Sequence, residues 1–238
     1  MKKIIYMPTC ILLLLAALVG CKKDAVVDGG LSNENVNMTT YDFLKNHNRQ
    51  LFDTTLMIID KAGMKDLINS SGTFFVPNDY AIANFITVKQ TEARIKSEKL
   101  NYTLDSLFKY FTPKMLRDSM GIYFIPQRVT RDGLDDNGSI YLTSTMNSSA
   151  LVALDVTFND RYLSGTITNP PQYMAFVKII GDRDVRSGTG WAGWADPTGD
   201  RRKNDVRDRC QTTGIITTTG VVHVLSNSHA WTFKQLLP

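Results

Sequence analysis

Along this 238-residue chain the spacing of apolar and polar positions changes period once, and the change predicts helices first and strands second. Thr39 or Thr40 can cap a helix running through Leu44, because a hydroxyl at that position accepts from the free amides of the first turn. Phe52, Leu56 and Ile59 recur at helical spacing and predict a second helix. It stops near Ala62, where Gly63 can take the left-handed conformation. Met64 to Ile68 predicts one further turn of helix. Thr73 to Val76 is then a short apolar run closed by Pro77, the pattern of a buried strand. Asn78 or Asp79 caps a helix carrying Tyr80, Ala83 and Phe85. Glu92 to Lys99 reads as a separate polar helix. Thr103 opens another, with Leu104, Leu107, Phe108 and Phe111 on one side and Pro113 at its end.

After Gly121 the pattern is mostly that of strands. Ile122 to Val129 and Ser139 to Thr145 are expected to form a hairpin through Asp136-Asn137-Gly138, since Asn-Gly supplies the positive φ values of a tight turn. Leu151 to Phe158 alternates, turns at Asn159-Asp160 and returns as Tyr162 to Thr168. Tyr173 to Ile180, Gly214 to Thr218, Val221 to Leu225 and Trp231 to Leu236 complete the predicted strands. Helices followed by strands argue for an α+β fold rather than a doubly wound one. Between the strands, residues 181–210 break the pattern with dense Asp and Arg and with Trp191 and Trp194 between glycines.

The first residues change the picture. Lys2 and Lys3 precede an apolar stretch from Ile11 to Val19, and Leu18-Val19-Gly20-Cys21 closes it. This is the layout of a secretory leader of the lipoprotein kind, with residues 1–20 removed and Cys21 acylated. A membrane-spanning helix needs about 20 apolar residues, and Pro8-Thr9 and Lys22-Lys23-Asp24 leave fewer. More than one acyl chain gives a stable anchor. Residues 21–38 then read as a lipid-anchored disordered tether, and residues 39–238 as one domain with an insertion at about 181–210. Lys22-Lys23-Asp24 fits outer-membrane sorting on the periplasmic or surface face. Loss of Lys2 and Lys3 with the leader lowers the formal net charge from +4 to +2, and nothing in the balance suggests a nucleic-acid surface. Cys10 leaves too, so Cys210 is the one remaining free thiol and an internal disulfide is excluded.

Two segments carry a resemblance. GTFFVPNDYAIANF, Gly72 to Phe85, resembles the first signature of fasciclin-type domains, an aromatic-rich strand running through proline into a polar-capped helix. GIITTTGVVHVLSNSHAWTF, Gly214 to Phe233, resembles the second. The resemblance covers about Thr39 to Leu237 and implies a single domain in which helices precede a mostly antiparallel β wedge or sandwich. Phe74, Val76, Pro77, Asn78, Asp79, Gly220, Val222, His223 and Val224 are the signature positions, and their physics is mainly packing and capping. Asn78 and Asp79 are both expected to satisfy amides of the helix that follows them, and His223 to be a hydrogen-bonded core histidine. The resemblance also implies a non-enzymatic extracellular adhesion module and, in bacterial lipoproteins, an association with outer-membrane glycan uptake. In animal members a Tyr-His pair serves attachment. Tyr110 stands at the matching place here, with Phe111 where His would be.

Catalytic constellations are sparse. There is no Gly-x-Ser-x-Gly elbow, no His-Glu-x-x-His and no phosphate-binding glycine loop. His47, His223 and His229 show no metal-ligand spacing, and Cys210 has no neighbouring histidine to activate it. Asp132, Asp135, Asp136, Asn137 and Gly138 suggest a calcium loop, but Gly133 and Ser144 occupy positions where acidic groups are required. No metal or cofactor is expected. The insertion offers the strongest binding candidates, Trp191, Trp194, Arg183, Asp184 and Arg186, because indoles stack on sugars and Asp and Arg bind hydroxyls or carboxylates. The leading reading is a membrane-anchored module for a glycan or protein partner. The alternative is an accessory subunit of an outer-membrane complex, and an exported hydrolase ranks third.

Overall fold

The computed structural model describes residues 34–134, 138–145, 151–158, 172–186 and 193–234. Helix α1 (Thr40–Lys45) starts where the Thr39 hydroxyl accepts from the Asp42 amide. Helix α2 (Asp53–Lys61) ends at Ala62, followed by Gly63 at φ 61°. Helix α3 (Lys65–Ile68) is a single turn that leads to strand β1 (Thr73–Val76), every residue of which is buried. Helix α4 (Asp79–Lys96) is capped by Asn78. It is one continuous helix of 18 residues where two were expected. Lys89 interrupts the apolar pattern in the sequence, yet its stem is buried and its ammonium pairs with Glu92 over the Phe85 ring. A long cationic stem can cover apolar surface in this way, so the helix need not break. Helix α5 (Leu104–Tyr110) opens with a Thr103–Ser106 capping box, and α6 (Pro113–Gly121) places Pro113 in its first turn.

The strands β2 (Phe124–Ile125), β3 (Ser139–Leu142), β4 (Leu151–Phe158), β5 (Gln172–Lys178), β8 (Val206–Ile216) and β9 (Val221–Leu225) join β1 in a seven-stranded sheet ordered β2-β1-β9-β8-β5-β4-β3. A separate ribbon pairs β6 (Val185–Arg186) with β7 (Trp194–Ala195). All neighbours in the larger sheet are antiparallel except β1 and β9, which run parallel next to the β2 edge. Strand β8 carries the sheet round its bend. Residues 206–209 pair with β5, residues 210–216 pair with β9, and register shifts fall between Cys210 and Ile215. Bulges bend a strand and raise its twist, so one strand can serve two sheet faces.

Four expectations are corrected here. Strands β2 and β3 are not partners, since β2 pairs with β1 and β3 with β4. The expected turn residues Asp136 and Asn137 lie outside the described residues, as does the strand expected at Tyr162 to Thr168. Trp231–Lys234 forms a tight turn instead of a strand, with Thr232 at φ 60° and Phe233 at φ 54°. Val206 to Cys210, read as part of a structureless insertion, is the first half of β8. Residues 34–38, read as the end of a tether, hydrogen-bond to the far end of β8: Ile216 donates to Glu34, Val36 donates to Ile216, and Thr218 donates to Met38. Exposed backbone beside a strand finds partners there, whatever its side chains.

The core is a stacked aromatic column. Phe75 of β1 lies 4.8 Å from Phe176 of β5 and 4.8 Å from the His223 ring of β9. Tyr123 and Phe233 extend the stack on Phe176, and Trp231 closes the helical side against Phe85 and Phe111. Among the described residues no helix is long and apolar enough to cross a membrane.

Candidate functional site

The signature positions meet on the neighbouring strands β1 and β9. Phe74 pairs with Val222 and Val76 with Val224, so the two distant segments form one parallel ladder. Gly220 sits against Gly72, whose carbonyl oxygen would be 2.7 Å from a Cβ there. Pro77 is buried, and its carbonyl accepts from the Thr55 hydroxyl at 2.6 Å. His223 is a core histidine, as expected. Its Nδ1 accepts from the Gly214 amide at 3.1 Å, which leaves Nε2–H to donate to the Val129 carbonyl at 2.9 Å. Burial holds its pKa down at about 4. Asn78 caps α4 and donates to Asn227 at 2.7 Å. Asp79 departs from expectation: it caps the preceding helix α2, accepting from the amides of Asp53, Thr54 and Thr55. Phe52, at the N-cap of α2, has no side-chain oxygen to do this.

Part of the insertion's charge turns inward, while Asp182, Arg201, Arg202 and Arg209 are exposed. Asp155 of β4, fully buried, is bound by Arg183 and by Arg207 Nε at 3.1 Å. Arg207 also reaches Asp184 at 2.5 Å and Asp205 at 3.6 Å. Asp184 and Asp205 each accept the other's backbone amide, at 3.2 and 3.0 Å, and Asp205 holds the Ile180 amide as well. Trp194 is only 7% exposed, with the Arg183 and Arg207 guanidiniums 5.2 and 4.9 Å from its ring. The indole face offered to a sugar in the sequence reading is therefore covered by cations within the fold. Asp184 is buried and Arg186 is half-buried in β6, while Trp191 lies outside the described residues.

Tyr110 is 61% exposed and stacks on Tyr102 at 6.2 Å. Phe111 packs in the core against Phe85 and Trp231. An apolar ring, unlike a histidine, needs no hydrogen-bond partner in that place.

His229 and His223 go to different partners. His229 Nδ1 lies 2.6 Å from Asp208 and Nε2 lies 2.8 Å from the Tyr123 hydroxyl, which accepts from the Thr232 amide at 2.7 Å. Nδ1–H donating to Asp208 leaves Nε2 to accept from Tyr123, so each group in the chain is satisfied. His229 and Tyr123 are fully buried, and burial pushes the phenol well above its ordinary pKa. The relay pins the strained turn at Thr232 and Phe233, where positive φ is uncommon for residues with a Cβ. Cys210 is also buried, which pushes its thiol up and away from reactivity.

The accessible chemistry lies elsewhere, in a groove of about 770 Å3 lined by His47, Asn48, Arg49, Leu51, Tyr80, Gln211, Thr212 and Asn227. The residues come from the α1–α2 link, the first turn of α4, the middle of β8 and the turn after β9. The buried face of α4 carries Ala81, Ile82, Phe85 and Lys89, whereas Tyr80 is 53% exposed. The α1–α2 link is fixed in place: Gln50 has φ 50° and Asp79 donates its amide to the Leu51 carbonyl. Asn227 is held by Asn78 and by Asn84, which donates to the carbonyls of Asn227 and His229. Burial and the Arg49 charge lower the His47 pKa, favouring the neutral ring. Amides, a guanidinium, a hydroxyl and one phenol ring on a fixed wall can hydrogen-bond and stack a polar ligand. No sequence motif announces this set, because its members are scattered. The one signal was an aromatic residue in the polar-capped first turn of a helix.

No family model matches the chain, and no curated protein matches it. Among solved structures it is similar to a FAS1 domain pair from the insect cell adhesion molecule fasciclin I, with 12% sequence identity and a TM-score of 0.38. That alignment covers 75% of this chain and 44% of the other, so the chain spans under half the length of that protein.

Proposed function

We propose that this chain is a fasciclin-type, non-enzymatic binding module, exported and held at the outer membrane by lipid on Cys21, and that it recognises a glycan through the Tyr80 groove. The observation that carries the reading is the lining of that groove. Asn48, Gln211 and Asn227 offer paired donors and acceptors that suit vicinal hydroxyls, and the exposed Tyr80 ring suits the apolar face of a sugar. Among the lining residues a single histidine stands without a carboxylate, a poor basis for acid–base chemistry. The signature segments, resembling the fasciclin pair and meeting as neighbouring strands, support the family reading. Lipid at Cys21 would raise the local concentration at the surface, so individually weak contacts suffice.

A glycan array probed with the detergent-solubilised full chain tests this. Binding is expected, and it should be lost in Tyr80→Ala with Asn48→Ala; an array without signal removes the groove reading. Palmitate labelling that persists in Cys21→Ala removes the anchor. A second reading, an accessory subunit of an outer-membrane glycan-uptake complex, is favoured by Tyr110, whose exposed ring is a typical protein-contact group. Co-purification of membrane proteins that Tyr110→Ala abolishes would support it.

A further inference from the structure

The C-terminal end of α4 takes no part in the groove, and residues 94–101 are all exposed. Arg94, Ile95 and Lys96 make the last turn of the helix and Ser97 caps it. The Leu100 amide donates to the Ser97 carbonyl at 3.0 Å, which turns the chain back. Gln90 then holds the returning segment, donating to the Leu100 carbonyl at 3.1 Å and accepting from the Tyr102 amide. Ile95 and Leu100 therefore stand at one tip. Ile95 is 82% exposed, more than any other bulky apolar side chain among the described residues. Tyr102 and Tyr110 stack beside the tip.

Charge at the tip is one-sided. Between Arg94 and Tyr110 the cations Arg94, Lys96, Lys99 and Lys109 stand against Glu98 and Asp105, all of them exposed. That stretch carries a net +2, as much as the whole chain once the leader is removed. None of the four cations is in an ion pair among the described residues. The negative end of the helix dipole accounts for Arg94 and Lys96 in the last turn. It does not account for Lys99 beyond the helix, nor for two exposed aliphatic side chains among lysines. Lysine is depleted at protein interfaces, whereas aliphatic and tyrosine side chains mixed with lysines suit a lipid headgroup layer. The bond between Glu34 and Ile216 leaves 12 residues between Cys21 and the folded part, a span of at most about 45 Å. A contact that is weak alone suffices at that distance from a bilayer. Resting on the lipid-anchor reading, we infer that the tip of α4 docks on an anionic lipid surface, with Ile95 and Leu100 in the interface and Lys96 and Lys99 on headgroup phosphates. Tyr80 lies about 24 Å along the helix axis from Lys96, so the residues that dock are not those that line the groove.

The acylated full chain in vesicles tests this. Cys210 is buried and Cys21 carries the lipid, so an environment-sensitive maleimide dye attaches at Ser97→Cys alone, beside the tip residues, or at Ala83→Cys, at the other end of α4. Flotation with the vesicles reports the anchor, and iodide quenching of the dye reports docking. In phosphatidylcholine vesicles containing phosphatidylglycerol, dye at residue 97 should be shielded from iodide, and dye at residue 83 should stay open. A lysine near an anionic surface contributes roughly fivefold, so Lys96→Ala with Lys99→Ala should lower the ratio of docked to undocked chain roughly thirtyfold. Ile95→Ser with Leu100→Ser should abolish the shielding at an unchanged melting temperature, because both side chains are exposed. Shielding should weaken as salt rises. A chain that does not float overturns the anchor and, with it, this inference. A chain that floats with residues 97 and 83 equally open overturns the inference and leaves the anchor standing. Equal shielding in vesicles without phosphatidylglycerol, untouched by the lysine pair, overturns the anionic surface. Shielding that appears only after outer-membrane proteins are added overturns the lipid contact and assigns the tip to a protein.

Discussion

The parallel β1–β9 ladder and the ion cluster beneath Trp194 are both buried, yet they are held by opposite means. In the first, Phe75, Phe176, Val222 and Val224 pack as apolar surface, with one neutral histidine whose two nitrogens are both satisfied. In the second, two guanidiniums and three carboxylates share a pocket under an indole. Apolar packing tolerates the loss of one contact in proportion to the area and volume removed. A buried ion cluster does not, because removing one member leaves its partners charged and without compensation. Interior position alone therefore says little about how a region fails.

Asp155→Ala should break the second region most severely. It takes a buried carboxylate from both Arg183 and Arg207, and a loss of about 5 kcal/mol is expected in urea unfolding, the upper end for a broken buried pair. Replacing charge with packing, as in Asp155→Leu with Arg183→Met, should recover much of that loss, because Arg207 keeps Asp184 and Asp205. A single variant as stable as the parent would remove the distinction between the regions. Phe75→Ala tests the other side. It deletes a ring stacked on both Phe176 and His223, and about 4 kcal/mol of lost stability is expected from transfer and cavity terms together.

These regions also differ in how far the sequence revealed them. Strands β1 and β9 were legible because each is a short apolar run between turn residues, and α1, α4 and α5 because Thr39, Asn78 and Thr103 stand where a first turn needs an oxygen. The ion cluster was legible only as composition. Asp and Arg in residues 181–210 look the same whether they face water or one another, and the partner that decides the matter, Asp155, lies in a distant strand. The final turn failed for a related reason. Trp231 to Leu236 has a strand-like composition, but the Tyr123 hydroxyl accepts from the Thr232 amide, and that distant contact helps hold positive φ at Thr232 and Phe233. The groove was invisible because its residues come from four separate segments, each unremarkable alone.

The buried histidine on β9 gives the comparison a pH axis. The folded pKa of His223 is held at about 4, below the ordinary value of 6.5. A depressed histidine favours the neutral form, so its contribution is fully present above pH 6.5. As pH falls from 6.5 toward 4 the unfolded chain takes the proton and the folded chain does not, and stability declines by on the order of 3 kcal/mol. In His223→Gln that part of the decline should vanish, so the stability difference between the two proteins should shrink between pH 7 and pH 4.5. A constant difference across that range would mean that the ring does not titrate in this way.

Asn78 carries the smallest of these effects and joins the end of β1 to the candidate site. Its side-chain oxygen caps α4 by accepting from the Ala81 amide, while its nitrogen donates to Asn227 on the groove wall. Losing the cap costs about 1 kcal/mol, and the abandoned partner at Asn227 raises the expected loss in Asn78→Ala to about 2 kcal/mol. Asn78→Asp separates the two roles. A carboxylate can still cap the helix, and its charge suits the positive end of the helix dipole, but it has no hydrogen to give Asn227. Stability should then stay within about 1 kcal/mol of the parent while glycan binding through the groove falls. If binding falls only in step with stability across both variants, Asn78 supports the groove merely by keeping the domain folded. If Asn78→Asp weakens binding at unchanged stability, a buried signature residue also sets the geometry of the surface that meets the ligand.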